Sequence, residues 1–440
     1  MADIEYMPRI LDPVIERSLS YKSCVYLKGL KYTGKTTTCE RFAATKFNLL
    51  LAREKESVKL ALGTDPSILF SLPKPIFFDE INKYPPIWNE VKANIDENRG
   101  KPNQFILSGS TIIRGEDGEK GMSKSHTGTG RFKEIVMRPL SLYESRESNG
   151  LISLESLFEE GIAIGGARSE LSMDQLIFAC CRGGFPTSLT APSDEFALEV
   201  AKDYIEDIAN KDISDVDGKE RNPVLAKRLL RVYAKNICTL AKNTKIASEV
   251  RGNDFSFSDV SYYDYKGALE NLFVIEDVEA WSPLMKSKAN MYSVPKKNIS
   301  EPSLAIAALS LTREQIARNL FDFGFFFESL CIRDLRIYAS QFDGEVNYYH
   351  DRNDLECDAV LTLKNGRYAL IEIKLGEGQI PEAEDHLLKI QDKIKAYNDS
   401  CEDPYMKMDL PSALLIIVGS TTAYDLKSGV KVVPIGCLKN

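Results

Sequence analysis

SCVYLKGLKYTGKTT, residues 23–37, decides the fold of the first third of the chain. The apolar run Ser23–Leu27 reads as a strand, Gly29–Thr36 fits G-x-x-x-x-G-K-[ST] in full, and Thr36–Lys46 reads as the helix that follows. The chemistry dictates each residue type. Glycines let backbone N–H groups curl round phosphates, and a helix N-terminus adds its positive end. Gly29, Thr33, Gly34, Lys35, Thr36 and Thr37 are therefore the expected nucleotide-binding residues, with Lys35 on the β and γ phosphates and the Thr36 hydroxyl on magnesium.

Some 40 residues on, Ile76-Phe77-Phe78-Asp79-Glu80 places two carboxylates at the end of an apolar strand. Asp79 would hold the magnesium ion through water, and Glu80 would polarise the attacking water. Phe105–Ser110 is another buried run ending in hydroxyls. Ser108 there is either a γ-phosphate sensor or a plain strand-end serine. Arg131 is either an arginine finger toward a neighbouring subunit or a solvated loop arginine. Short strands alternating with helices over residues 1–150 indicate an α/β fold with a parallel sheet and a ligand site at the strands' carboxyl ends. Residues 113–130, rich in Gly, Ser and charge, read as a mobile loop.

The chain has 440 residues, of which 43% are apolar and 27% charged, so two or three globular domains are expected. No run approaches the ~20 apolar residues that span a bilayer, and residues 1–20 lack a signal pattern, which predicts a cytoplasmic protein with no membrane partner. Nine cysteines without a C-x-x-C pair predict reduced thiols. The net charge of −8 disfavours a protein living by non-specific nucleic-acid binding. Residues 219–251 are an exception, with only Glu220 and Glu249 opposing the basic side chains.

Residues 151–301 read as a helical region, with Gly183-Gly184-Phe185-Pro186 as punctuation and a basic amphipathic helix over 222–241. Lys245–Val250, Phe257–Asn271 and Leu272–Glu279 follow as helix, helix and strand, the order of a winged helix-turn-helix. Residues 302–440 read as a small α/β domain: a helix over Asn319–Tyr338, strands at Val346–His350, Cys357–Leu363 and Tyr368–Lys374, a helix over 382–398 and a strand at Ala413–Val418. His126, His350 and His386 read as solvated.

GLKYTGKTT, FFDEINKYPPIWNEVKANID, QFILSGS and GRFKEIVMRPLSLYES resemble prokaryotic AAA-type ATPases joined to a C-terminal domain of unknown function. RGGFPTSL, FFFESLCIRDLRIYA and NDLECDAVLTLKNGRYALIEIK resemble that second domain. The resemblance implies ATP binding and an AAA-like first domain. The spacing of Glu328, Asp358 and Glu372-x-Lys374 also looks like the PD-(D/E)XK nuclease fold. In such a site Asp358 and Glu372 bind magnesium, Glu328 supports them, and Lys374 acts on the water and the phosphate. A decorated, solvated strand face is the other reading of the same residues.

Three functions follow as expectations. The chain is an ATPase driving a nuclease-like domain on DNA or RNA, an ATP switch controlling DNA docking, or an ATPase with an inert nuclease-like scaffold. ATP and magnesium are the expected cofactors, and a homo-oligomer is a possible state.

Overall fold

The structure, a computed structural model, describes residues 6–111, 130–159, 161–252, 257–282 and 294–440. The loop expected over 113–130 lies outside the described residues except for Gly130, and so does His126. Contacts divide the chain into two compact units. One comprises residues up to Pro139 with Asp212–Glu220 and Gly267–Val274; the other comprises Leu140–Lys211, Arg221–Lys266 and Ile275–Asn440.

The first unit is built on five parallel strands, β1 (Cys24–Lys28), β2 (Thr45–Asn48), β3 (Ile76–Asp79), β4 (Phe105–Gly109) and β5 (Phe132–Val136), in the order β2-β3-β4-β1-β5. Strand periodicity sorts the side chains between two faces. Cys24, Tyr26, Ile76, Phe78, Phe105 and Leu107 share one apolar cluster with Trp88, Val91 and Ile95 of the helix Pro86–Glu97. Val25, Leu27, Phe77 and Ile106 join another with Val14 and Ile15 of the helix Asp12–Tyr21. A sheet covered on both faces must have near-continuous apolar strands, which is why SCVYL, PIFF and QFIL were readable. The helix after the glycine loop is shorter than expected, Lys35–Glu40, because the chain turns at Arg41 and enters β2 at Thr45.

In the second unit the helices Met173–Arg182, Asp194–Asp207, Pro223–Lys235, Asn243–Arg251 and Pro302–Ala308 pack together, the last of them with Leu304, Ala305 and Ile306 buried. Three expectations need correction here. The described residues of 151–171 hold no α-helix, only a 3-10 turn at Ser156–Phe158: glycines at 161, 165 and 166 punctuate the stretch, and β6 (Ile152–Ser153) pairs with the chain's final strand. The basic helix ends at Lys235, where the backbone leaves the helical region at Asn236, and Cys238 beyond it adopts a left-handed φ of 55°. The strand expected over Leu272–Glu279 is reduced to single antiparallel bridges, Ile275 to Ile299 and Val278 to Lys296.

The C-terminal part carries a six-stranded mixed sheet. Its strands are β7 (Glu345–His350), β8 (Glu356–Thr362), β9 (Tyr368–Lys374), β10 (Ala413–Val418), β11 (Tyr424–Asp425) and β12 (Lys431–Pro434), in the order β11-β12-β10-β9-β8-β7. β8 runs antiparallel to both β7 and β9, then the helix Ile380–Ser400 crosses over to make β10 parallel to β9. The helix Leu320–Ala339 precedes them, capped by the Asn319 side chain. β13 (Leu438–Lys439) closes the chain against β6. All nine cysteines are free. Among the described residues no helix is long and apolar enough to cross a membrane.

Candidate functional site

The loop after β1 is shaped by two glycines. Gly29 has φ 145°, and a Cβ there would lie 2.2 Å from the Met137 carbonyl oxygen, so no other residue fits. Gly34 has φ 91° and turns the chain into the helix Lys35–Glu40. Inside the loop the buried Lys35 ammonium donates to the carbonyls of Gly29 (3.1 Å) and Leu30 (2.6 Å), and the Thr33 hydroxyl donates to Leu30 (3.1 Å). Burial lowers the Lys35 pKa, while Glu80 and Asp79 act to raise it. A phosphate would exchange those neutral carbonyls for a charged partner.

β4 lies between β1 and β3, so Ser108 falls between the loop and the end of β3. The Thr36 hydroxyl donates to one Asp79 oxygen at 2.9 Å, and the Ser108 hydroxyl donates to the other. The same Ser108 oxygen accepts the Glu80 backbone N–H at 3.1 Å, and Ser110 donates to the Glu80 carboxylate at 3.0 Å. Burial pushes the Asp79 pKa up, against the two hydroxyl bonds that hold it down. Glu80 itself sits at φ 54°, an uncommon backbone for a non-glycine residue and one that aims its side chain off the strand end. A cavity of about 370 Å³, lined in part by Thr36, Asn48, Arg53 and Asp79, opens beside this cluster.

Arg131 is elsewhere. It precedes β5, whose Phe132 pairs with Cys24, so it stands at the amino-terminal edge of the sheet, opposite the glycine loop. There it forms an ion pair with Asp96 and does not reach this chain's own nucleotide site. The reading of the sequence missed Arg9. Buried, it donates to the Thr33 carbonyl at 2.8 Å and the Arg138 carbonyl at 2.7 Å, bracing the loop from outside. No local pattern marks it, because it lies 24 residues from Thr33.

The second cluster forms at β8, β9 and the helix Leu320–Ala339. Lys374 bonds Asp358 at 3.0 Å and Glu372 at 2.5 Å, and the Ile373 N–H donates to Asp358 at 2.8 Å. Three further residues, Lys296, Glu356 and His386, enter that the sequence did not place in this cluster. Lys296, with its side chain only 1% exposed, reaches Glu328 at 2.9 Å, Glu356 at 2.8 Å and Asp358 at 3.7 Å. His386, expected to be solvated, lies 3.4 Å from Glu372 because its helix crosses over β9. Glu356 had a signal that was missed, since it sits two residues from Asp358 on one strand. Lys296 had none, because it arrives on a distant segment.

Electrostatics divide this cluster. Burial raises the Glu372 pKa to about 9, and Asp358 adds to the rise. Burial and the neighbouring acids raise Glu328 to about 7 against the pull of Lys296. Asp358 goes the other way: despite burial, Lys374, Lys296 and the Ile373 N–H bring it down to about 2. Burial would lower the Lys296 pKa, but the three carboxylates hold it well above its usual value. Among the described residues, no group of three or more His, Cys, Asp or Glu side chains is arranged to hold a metal ion.

Residues 21–145 match the AAA domain family. The chain is a P-loop ATPase. Residues 173–315 of this ATPase match a domain of unknown function, DUF8612, and residues 323–438 match another, DUF4143. No curated protein matches it. Among solved structures it is similar to a Walker-type ATPase of Pyrococcus abyssi, at 12% identity and a TM-score of 0.42, over 68% of this chain and 94% of that one. The replication initiator DnaA bound to AMPPCP and single-stranded DNA is similar at 12% identity and a TM-score of 0.26, over 59% and 86% of the two chains. A signal-transduction ATPase with a tetratricopeptide repeat sensor from Pyrococcus horikoshii follows at 14% and 0.23, over 78% and 52%.

Proposed function

We propose that this ATPase hydrolyses ATP with magnesium and works on nucleic acid through its C-terminal half. The observation carrying the first part is the joint hold of Thr36 and Ser108 on the two oxygens of Asp79, with Glu80 next in the chain. A buried carboxylate beside a hydroxyl is a hard-oxygen set that suits magnesium, so Thr36 and Asp79 would hold the ion. When bound, that ion would neutralise charge on the β and γ phosphates. Lys35 binds the same phosphates, Glu80 orients the water, and Ser108 keeps Asp79 and the Glu80 backbone in register. Lys35→Ala should abolish ATP binding in a nucleotide titration, and an unaltered titration would contradict the assignment.

The nucleic-acid part rests on the adjacency of Asp358 and Glu372-x-Lys374 on antiparallel β8 and β9, with Glu328 on the helix before them. That order supports a PD-(D/E)XK-like module, and the run of three helices closed by paired strand bridges supports a winged helix-turn-helix ahead of it. One observation favours a second reading, a switch protein with a catalytically inert nuclease-like scaffold. It is the Lys296 ammonium inserted among Glu328, Glu356 and Asp358. Incubating duplex and single-stranded DNA and RNA with magnesium, with and without ATP, separates the two: cleavage lost in Asp358→Asn supports a nuclease, and intact substrates support the switch.

A further inference from the structure

We infer that Lys296 is the resident cation of the C-terminal carboxylate cluster, standing where a divalent ion would otherwise bridge Glu328 and Asp358. The inference goes beyond the ATPase reading and does not depend on it. Three carboxylates converge within 3.7 Å of one ammonium, and that ammonium is almost wholly removed from solvent. Carboxylates gathered without a cation repel one another and are costly to bury. A positive charge among them relieves that repulsion, and the fold supplies it covalently.

The delivery is rigid. Lys296 exchanges both backbone hydrogen bonds with Val278, each 2.9 Å, and its ammonium lies 5.5 Å from the centre of the Tyr348 ring. The Tyr348 hydroxyl donates to the Val294 carbonyl at 2.6 Å, fixing the approach of this stretch. Lys374 occupies the remaining side by bridging Asp358 and Glu372. A divalent ion would have to share this space with two ammonium groups, and Coulomb repulsion at such separations works strongly against it. The donor set therefore does not fit the metal that Asp358 and Glu372 were expected to hold. The lysine removes the need for it.

The test uses the full-length chain carrying Lys35→Ala, without nucleotide, and Mn²⁺ as the probe by electron paramagnetic resonance and thermal melting. The parent should bind no Mn²⁺ that Asp358→Asn removes. Adding Lys296→Ala should create one Mn²⁺ site, lost again on Asp358→Asn, together with a metal-dependent rise in melting temperature that the parent lacks. If Lys296→Ala does not fold, Lys296→Met with Glu356→Gln removes one charge of each sign and is read in the same way. Mn²⁺ bound by the parent at an Asp358-dependent site overturns the inference. So does a folded Lys296 variant that gains no Mn²⁺. If neither variant folds, the parent alone decides. Magnesium-dependent cleavage that Asp358→Asn abolishes overturns the inference as well, whereas the absence of cleavage leaves it intact.

Discussion

Asp79 is the residue on which the first site turns. Its two oxygens are taken by Thr36 from the glycine loop and Ser108 from the neighbouring strand, so one carboxylate ties three chain segments together. Ser108→Ala should leave ATP binding in place and cut turnover at least about 10-fold, because Asp79 and the Glu80 backbone lose the hydroxyl that holds them in register. Unchanged turnover would leave Ser108 as a strand-end serine. Gly29 is the steric counterpart. With φ 145° and the Met137 carbonyl in the place of a Cβ, Gly29→Ala should cost about 2–4 kcal/mol in urea unfolding. A wild-type midpoint would show that the loop relaxes freely.

Elements explain what could be read in advance. Buried parallel strands write themselves as apolar runs, and the glycine loop is continuous in sequence, so Lys35, Thr36, Asp79 and the strand that carries Ser108 were legible. Helix ends were less so: Thr36–Lys46 contained the start of β2, because a four-residue strand with half-buried side chains has no distinctive pattern. Arg9 and Lys296 were hidden for another reason. Each acts through long-range packing that local periodicity cannot express. The helix Pro223–Lys235 shows the same limit, since its charges were visible but their partners were not. Lys227 pairs with Glu206 and Lys235 with Glu249, while the Arg228 guanidinium caps the Val250 carbonyl. If this helix docks on DNA, reversing Lys227, Arg228 and Arg231 to Glu should weaken duplex binding and flatten its salt dependence, by about 0.9 in log–log slope for each phosphate no longer neutralised. An identical slope would remove the helix from any interface.

The whole molecule joins a nucleotide unit of recognisable chemistry to a C-terminal half with a charged cluster buried inside it. The two differ in how they meet their cations. The first gathers oxygens and one lysine round a space open to a ligand, and the second fills its carboxylates with lysines from its own chain. ATP with magnesium should therefore stabilise the protein, by about 2.7 kcal/mol at a hundredfold excess over Kd, whereas magnesium alone should add little. A large shift with the metal alone that Asp358→Asn abolishes would point to a divalent site in the C-terminal cluster. The most direct test of the central claim is ATP turnover in magnesium by the wild-type chain and by Glu80→Gln, with nucleotide binding followed on the same samples. The account predicts turnover by the wild type, and for Glu80→Gln retained binding with turnover at least about 100-fold slower. Failure of the wild type to bind ATP–magnesium at millimolar nucleotide, or undiminished turnover by Glu80→Gln, would contradict it.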